Sequence, residues 1–268
     1  MLGICLRGAT MAALAIAISF SSALPSIAED AGDAWSEIAN NAFNGRPLAD
    51  GSGLITLEMP GRAEDAAVVP VTMRVNLSPG DKRTLKSLTL VIDENPSPVA
   101  ATFNVGPGVG MISTRVRVNS HTKVHAVAEL SDDRLYVVDT YVKASGGCSA
   151  PMANAAEDAA KIGQMQFRQF AKTGAEPREA QIMIRHPNNS GLQRDQVTLY
   201  YIPLFIVQQL RVWQGDQLVL EMDGGISISE NPNIRFSFAP NGASTFRAEA
   251  VDTNGHVFKG EWPVEPAT

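Results

Sequence analysis

From Gly53 onward apolar residues recur at every second position, a spacing that excludes a mainly helical fold for most of the chain. Val69, Val71, Met73, Val75 and Leu77 share one face of a strand; Leu88, Leu90 and Ile92 line a second, and Ala101, Phe103 and Val105 a third. Ile112, Thr114, Val116 and Val118 continue the pattern, as do Val124, Ala126, Ala128 and Leu130. Successive side chains of a strand point to opposite sides, so each run offers one face to a core and one to water. Ser78-Pro79-Gly80-Asp81, Asn95-Pro96-Ser97-Pro98 and Gly106-Pro107-Gly108 separate the runs with turn-forming residues.

The second half repeats the style. Ile182 and Ile184 alternate, as do Ile206, Leu210 and Val212 around the polar Gln208. Leu218, Leu220 and Met222 follow the turn Gln214-Gly215-Asp216; Ile234, Phe236 and Phe238 come next, then Phe246, Ala248 and Ala250. Asn254-Gly255 predicts a hairpin with a type I′ turn, because both residues tolerate positive φ. Each half is about 100 residues long, the size of one immunoglobulin-like domain. The expected fold is therefore all-β, with two immunoglobulin-like β-sandwich domains in tandem over residues 53–144 and 163–268. Helix is scarce. Trp35 to Phe43, inside an N-terminal segment 29–52, places Trp35, Ile38, Ala39, Ala42 and Phe43 on one helical face. Ala153 to Lys161, inside a loop and Ala-rich linker 145–162, gives a second short helix, and Met165 and Phe167 open the strand after Gly163.

Residues 1–28 read as a secretory signal peptide: Arg7 is their only charge, an apolar run spans Met11 to Phe20, and Ser26-Ile27-Ala28 supplies small residues for cleavage. That run is about half the roughly 20 residues needed to span a bilayer, so no membrane insertion of the mature protein is expected. Cleavage after Ala28 starts the mature chain at Glu29, places it in the periplasm and removes Cys5. The net charge of −6 becomes −7 once Arg7 is lost, and without a basic cluster the chain has no expected nucleic-acid partner.

Cys148 is then the single cysteine. An odd thiol in an oxidising compartment points to an intermolecular bridge or a reactive group. Lys143 to Pro151 contains Ser145, Gly146, Gly147, Ser149, Ala150 and Pro151 around the cysteine, all small residues or turn formers. Such a stretch has little apolar surface to bury, which predicts an exposed, moving loop with an accessible thiol. Lys143 is the nearest cation in sequence, and no histidine adjoins the cysteine as a base. His121 and His125 have a metal-binding spacing for a helix, but on a strand four residues span about 13 Å, too far for one ion. His186 sits in a loop and His256 beyond a hairpin turn, and no metal or cofactor is expected. Gly106-Pro107-Gly108-Val109-Gly110 lacks the lysine and hydroxyl ending of a phosphate loop and reads as a turn.

An ordered set of segments resembles a known family. Leu57-Glu58-Met59-Pro60-Gly61-Arg62-Ala63-Glu64-Asp65, Val68 to Val71, Ile92 to Pro98, Thr114-Arg115-Val116-Arg117 and Ser145-Gly146-Gly147-Cys148 resemble SoxY. Ile184-Arg185-His186-Pro187, Ile202 to Phe205, Ile226 to Pro232 and Val251 to Gly255 resemble SoxZ. Together the halves are similar to the fused SoxYZ-like carriers associated with quinoprotein dehydrogenases. The resemblance implies a periplasmic carrier without its own catalytic centre, which works with enzymes of sulfur-compound oxidation. In that family the cysteine sits in a Gly-Gly-Cys-Gly-Gly tail at the C-terminus and holds substrate sulfur covalently, and the tail swings into partner active sites. Gly146, Gly147 and Cys148 match it, and Cys148 becomes the attachment point. Here Ser149, Ala150 and Pro151 replace the trailing glycines and the chain runs on. A free five-residue tail reaches about 17 Å, whereas a loop pinned at both ends reaches roughly 10 Å.

Two readings of different class follow. In the first, Cys148 carries a sulfur-containing or thiol-reactive group between enzymes. In the second, the sandwiches form a binding or assembly module for an exported quinoprotein dehydrogenase, and the cysteine contributes nothing to it or a Cys148-linked dimer.

Overall fold

The computed structural model describes residues 34–151, 159–170 and 178–265. The expected signal peptide and most of the Ala-rich linker lie outside the described residues; of the helix expected over Ala153 to Lys161, the described part is a 3-10 turn, Ala159–Lys161.

Fifteen strands and one helix are described. In the first half these are α1 (Ala34–Ala42), β1 (Leu48–Asp50), β2 (Ile55–Glu58), β3 (Val69–Val75), β4 (Leu85–Ile92), β5 (Val99–Val105), β6 (Met111–Val116), β7 (Thr122–Leu130) and β8 (Leu135–Val142). In the second they are β9 (Met165–Phe170), β10 (Arg178–Ile184), β11 (Val207–Gln214), β12 (Gln217–Gly224), β13 (Asn233–Phe238), β14 (Thr245–Asp252) and β15 (Val257–Pro263). The alternation carries over into burial. Val69, Val71 and Met73 of β3 are buried, and so are Ile234, Phe236 and Phe238 of β13.

The sandwiches are not two beads on a string. One sheet runs β1-β8-β7-β4-β5-β12-β11-β14-β15 and the facing sheet β2-β3-β6-β13-β10-β9, so each sheet crosses both halves. β5 pairs antiparallel with β12 from Val105↔Leu220 to Ala101↔Gly224, and β6 meets β13 at Ser113↔Arg235 and Ile112↔Phe236. An open strand edge invites uncontrolled pairing, and here each half covers the other's edge in both layers. The core is continuous for the same reason: one apolar cluster extends from Ile55 and Val69 through Phe103 and Ile112 to Phe236, Phe246 and Ala250.

The helix covers the outer face of the larger sheet. Ala39 and Phe43 pack on Val91, Val127 and Leu135, with Trp35 and Ile38 at the margin. The hairpin between β14 and β15 forms, but only Gly255 takes positive φ (82°), while the N–H of Gly255 bonds the carbonyl of Asp252 at 3.0 Å. A type I turn closed by a left-handed glycine replaces the expected type I′ turn, because the Asp252 carboxylate accepts the N–H groups of Asn254 and His256 and fixes the longer loop.

Polar residues fasten the junction. Asn95 Nδ2 donates to the Arg117 carbonyl (2.7 Å) and to Ser227 Oγ (2.8 Å), and Asn95 Oδ1 accepts the N–H of Asn119 at 2.8 Å. Ser229 Oγ donates to the Ala67 carbonyl at 2.7 Å, and Arg115 Nη2 to the Asn231 carbonyl at 3.1 Å. The Asn-Pro segments at Asn95 and Asn231 are thus parts of the seam between the halves, just behind the cysteine loop.

Candidate functional site around Cys148

β8 ends at Val142, and the chain stays pinned beyond it. Lys143 bridges Arg62, and the Ala144 carbonyl lies 2.7 Å from His121 Nδ1. Gly146 donates its N–H to the Asn119 carbonyl at 2.7 Å and Gly147 to the Val118 carbonyl at 3.1 Å. The turn closes when the Ser149 N–H and hydroxyl both reach the Gly146 carbonyl at 3.2 Å. Gly146 stands at φ 74°. A Cβ on Gly147 would lie 2.0 Å from the Ala66 carbonyl oxygen and 2.6 Å from that of Val118.

The expectation of an exposed thiol is overturned. Ser145, Ser149 and Pro151 face solvent, but Gly147 is buried and Cys148 has no exposed surface at all. Small residues suggest freedom to move, whereas here they permit close approach: with no side chain at Gly147 the loop sinks onto the Ala66 and Val118 backbone and takes the cysteine with it. Burial pushes the thiol pKa up to about 11, and the opposing pull of the Arg117 charge is the smaller effect. At pH 7 that leaves about one molecule in 10,000 as thiolate while the loop is closed.

Both halves hold the loop down. Arg117, just past β6, donates from Nη1 to the carbonyls of Gly147 (3.2 Å) and Ala150 (3.5 Å). From the second half, Ser190 Oγ donates to the Cys148 carbonyl and Gln193 Nε2 to the Ala150 carbonyl at 3.0 Å. Gln193 Oε1 in turn accepts the Ser190 N–H at 2.9 Å, so the two side chains brace each other. They lie at the base of a segment between β10 and β11 whose tip exposes Val197, Leu199, Tyr200 and Tyr201.

Arg117, Ser190 and Gln193 were not found by reasoning from sequence. Lys143 is the nearest cation along the chain, but the charge that acts on the thiol is Arg117, 31 residues earlier. The one signal available was an arginine at the end of an apolar strand, between Val116 and Val118.

The histidines fall in different places: His121 and His125 face different partners, while His186 and His256 both approach Asp252. His125 Nε2 lies 3.1 Å from Asp93 Oδ2 and its ring stacks on Trp35 at 3.6 Å between centroids, while His121 turns to the cysteine loop. His256 Nδ1 bonds Asp252 Oδ2 at 2.8 Å, and buried His186 directs Nε2 to the same oxygen at 3.7 Å. Burial pushes the His186 pKa down, against the pull of Asn188 and Asp252, and at 3.7 Å its Nε2 makes no hydrogen bond to the Asp252 carboxylate. Among the described residues no cluster of three or more His, Cys, Asp or Glu side chains could hold a metal ion. Nor is any described helix long and apolar enough to cross a membrane.

Comparisons with known proteins agree with the division into halves. The family model for sulfur oxidation protein SoxY matches residues 39–148, and that for sulphur oxidation protein SoxZ matches residues 166–263. Together the two matches cover most of the chain, which belongs to the SoxYZ-like proteins, with SoxY and SoxZ fused in tandem. Among solved structures, the sulfur carrier protein SoxY from Chlorobium limicola f thiosulfatophilum is 25% identical, with 40% of this chain and 89% of that chain covered and a TM-score of 0.35. A superoxide reductase (neelaredoxin) from Ignicoccus hospitalis is 11% identical over 33% of this chain and 78% of that one, with a TM-score of 0.30. No curated protein matches the sequence.

Proposed function

We propose that the protein is a periplasmic carrier that holds a sulfur-containing or thiol-reactive group covalently on Cys148 and presents it to partner enzymes. The observation that carries this reading is the position of the thiol: the SoxY match ends on Cys148, behind Gly146 and Gly147, at the seam where SoxZ residues grip the loop. The division proposed is a signal peptide over 1–28, a SoxY-like sandwich over 53–144, the Cys148 loop and linker over 145–162 and a SoxZ-like sandwich over 163–268. The partners proposed are periplasmic enzymes of sulfur-compound oxidation or of a quinoprotein dehydrogenase system. Among the described residues no base acts on the thiol, and the partner supplies whatever activation the chemistry needs.

The buried sulfur makes this a carrier with a closed state. Cys148 reaches a partner, or the cysteine of a second copy in a linked dimer, only after the loop lifts from Arg117, Ser190 and Gln193. Release breaks these hydrogen bonds and uncovers Gly147 and Cys148, while Ala150 is already half-buried and Ser149 and Pro151 are exposed.

The test is intact mass measurement on protein purified from its native host, paired with Cys148→Ser. Mass adducts that map to Cys148, and loss of the host pathway's activity in a folded serine variant, are the expected results. Wild-type pathway activity in the serine variant would falsify the carrier reading. The burial of Cys148 favours one rival, an assembly module for an exported quinoprotein dehydrogenase in which the thiol is inert. Capture of that dehydrogenase by the serine variant, with pathway activity intact, is the outcome that selects it.

A further inference from the structure

Among the described residues Arg117 is the largest side chain buried completely. Its Nη1 is occupied by the carbonyls on either side of Cys148, but Nε and Nη2 are buried with no partner. Glu230 and Asp65 act on it only through their charge, without a hydrogen bond, and Cys148 is the third group that acts on it. A desolvated guanidinium with two donor nitrogens left idle is strongly unfavourable, and an apolar side chain of similar volume would fill the same space without that penalty. Such an orphan in a native protein calls for a reason.

We propose that Arg117 is a subsite for negative charge on the group borne by Cys148. While the cysteine is a neutral thiol, Nε–H and Nη2–H have nothing to bond; an anionic group attached to the sulfur gives them an acceptor. The inference rests on the reading of Cys148 as an attachment point and adds selectivity to it. The arginine favours a sulfur-linked group that carries a negative charge near the attachment sulfur over a cationic one. The empty carrier, with an unsatisfied arginine, opens more readily than the carrier loaded with an anion.

Methanethiosulfonates test this with labels of equal length and opposite charge. The Cys148 thiolate attacks the reagent's sulfenyl sulfur, a new S–S bond forms, and methanesulfinate leaves with the electron pair. One reagent places a 2-sulfonatoethylthio group on the Cys148 sulfur, the other a 2-ammonioethylthio group, each joined through the new disulfide. The release rate of each label by dithiothreitol is measured on folded protein and divided by its rate on urea-unfolded protein, which removes intrinsic differences between the labels. In wild type the anionic label is expected to leave about tenfold more slowly than the cationic one, the factor supplied by one charge-assisted hydrogen bond of modest strength. In Arg117→Met the ratio falls to about one. Equal protection of both labels in wild type, or a ratio that survives in Arg117→Met, overturns the proposal. If the methionine variant does not fold, the wild-type ratio still decides, and Arg117→Lys, a charge without the fork of donors, is expected to shrink it. Failure here leaves the attachment role of Cys148 intact, because host activity of Cys148→Ser decides that separately.

Discussion

At the scale of single residues, the decisive change concerns what Gly146 and Gly147 are for. In sequence a glycine pair before a cysteine reads as slack. In the fold Gly147 is the one residue type that fits, with two carbonyl oxygens where a side chain would begin, and the consequence is a sequestered thiol. This has a pH signature. The folded protein holds the Cys148 proton up to about pH 11, whereas the unfolded chain gives it up near the ordinary thiol value of 9.0. Between those values the unfolded state binds fewer protons, so stability is fully present below pH 9.0 and is lost as pH rises toward 11. Urea midpoints at pH 8 and pH 10 are expected to fall further in wild type than in Cys148→Ser, by about 1 kcal/mol in unfolding free energy at pH 10. Identical slopes for the two proteins would mean the sulfur is solvated in solution. A thiol's neighbours in sequence report local chain stiffness, but its protonation is set by residues such as Arg117 that only the fold brings near. That is why Cys148 was legible in sequence as a candidate site and its environment was not.

At the scale of elements, the strands were largely visible. β3, β4, β5, β6 and β7 each follow an alternating run, because a half-buried strand must repeat at two residues. β1 was not visible: three residues that pair parallel with β8 from Leu48↔Leu135 to Asp50↔Val137 are too few to show a period. The segment between β10 and β11 was equally silent, for a different reason. Ser190 and Gln193 sit in no periodic pattern, and their role comes from carbonyl oxygens 42 and 43 residues earlier in the chain. They are the second half's grip on the loop, and each net hydrogen bond is worth about 1 kcal/mol. Alkylation of Cys148 by an uncharged reagent, slow in wild type because it awaits loop opening, is expected to speed up severalfold in Ser190→Ala. In the double variant Ser190→Ala with Gln193→Ala the gain is expected to reach tens of fold. Unchanged alkylation in the double variant would place the latch elsewhere.

At the scale of the whole molecule, the sequence shows two similar halves but not that they share sheets. Alternation says which face of a strand is buried; it does not say which strand lies next to it, and β5–β12 and β6–β13 pair residues more than 100 positions apart. Two sandwiches joined by a linker would unfold separately, whereas two sandwiches with shared sheets and one core should unfold together. The three tryptophans allow a direct test, because Trp35 packs with the first half while Trp213 and Trp262 lie on β11 and β15. With Trp213 and Trp262 replaced by Phe, the remaining fluorescence reports the first half alone. Phe236 belongs to the second half, is fully buried and faces Ile112 across the seam. Phe236→Ala in that background is expected to cost about 3–5 kcal/mol through the lost packing and the cavity left behind. If the molecule is one cooperative unit, Trp35 fluorescence and far-UV circular dichroism shift to lower urea together and by the same amount. A Trp35 transition left in place, while the circular dichroism splits into two steps, would show that the halves fold independently. The latch that Ser190 and Gln193 place across the seam would then depend on docking of the halves rather than on a shared core.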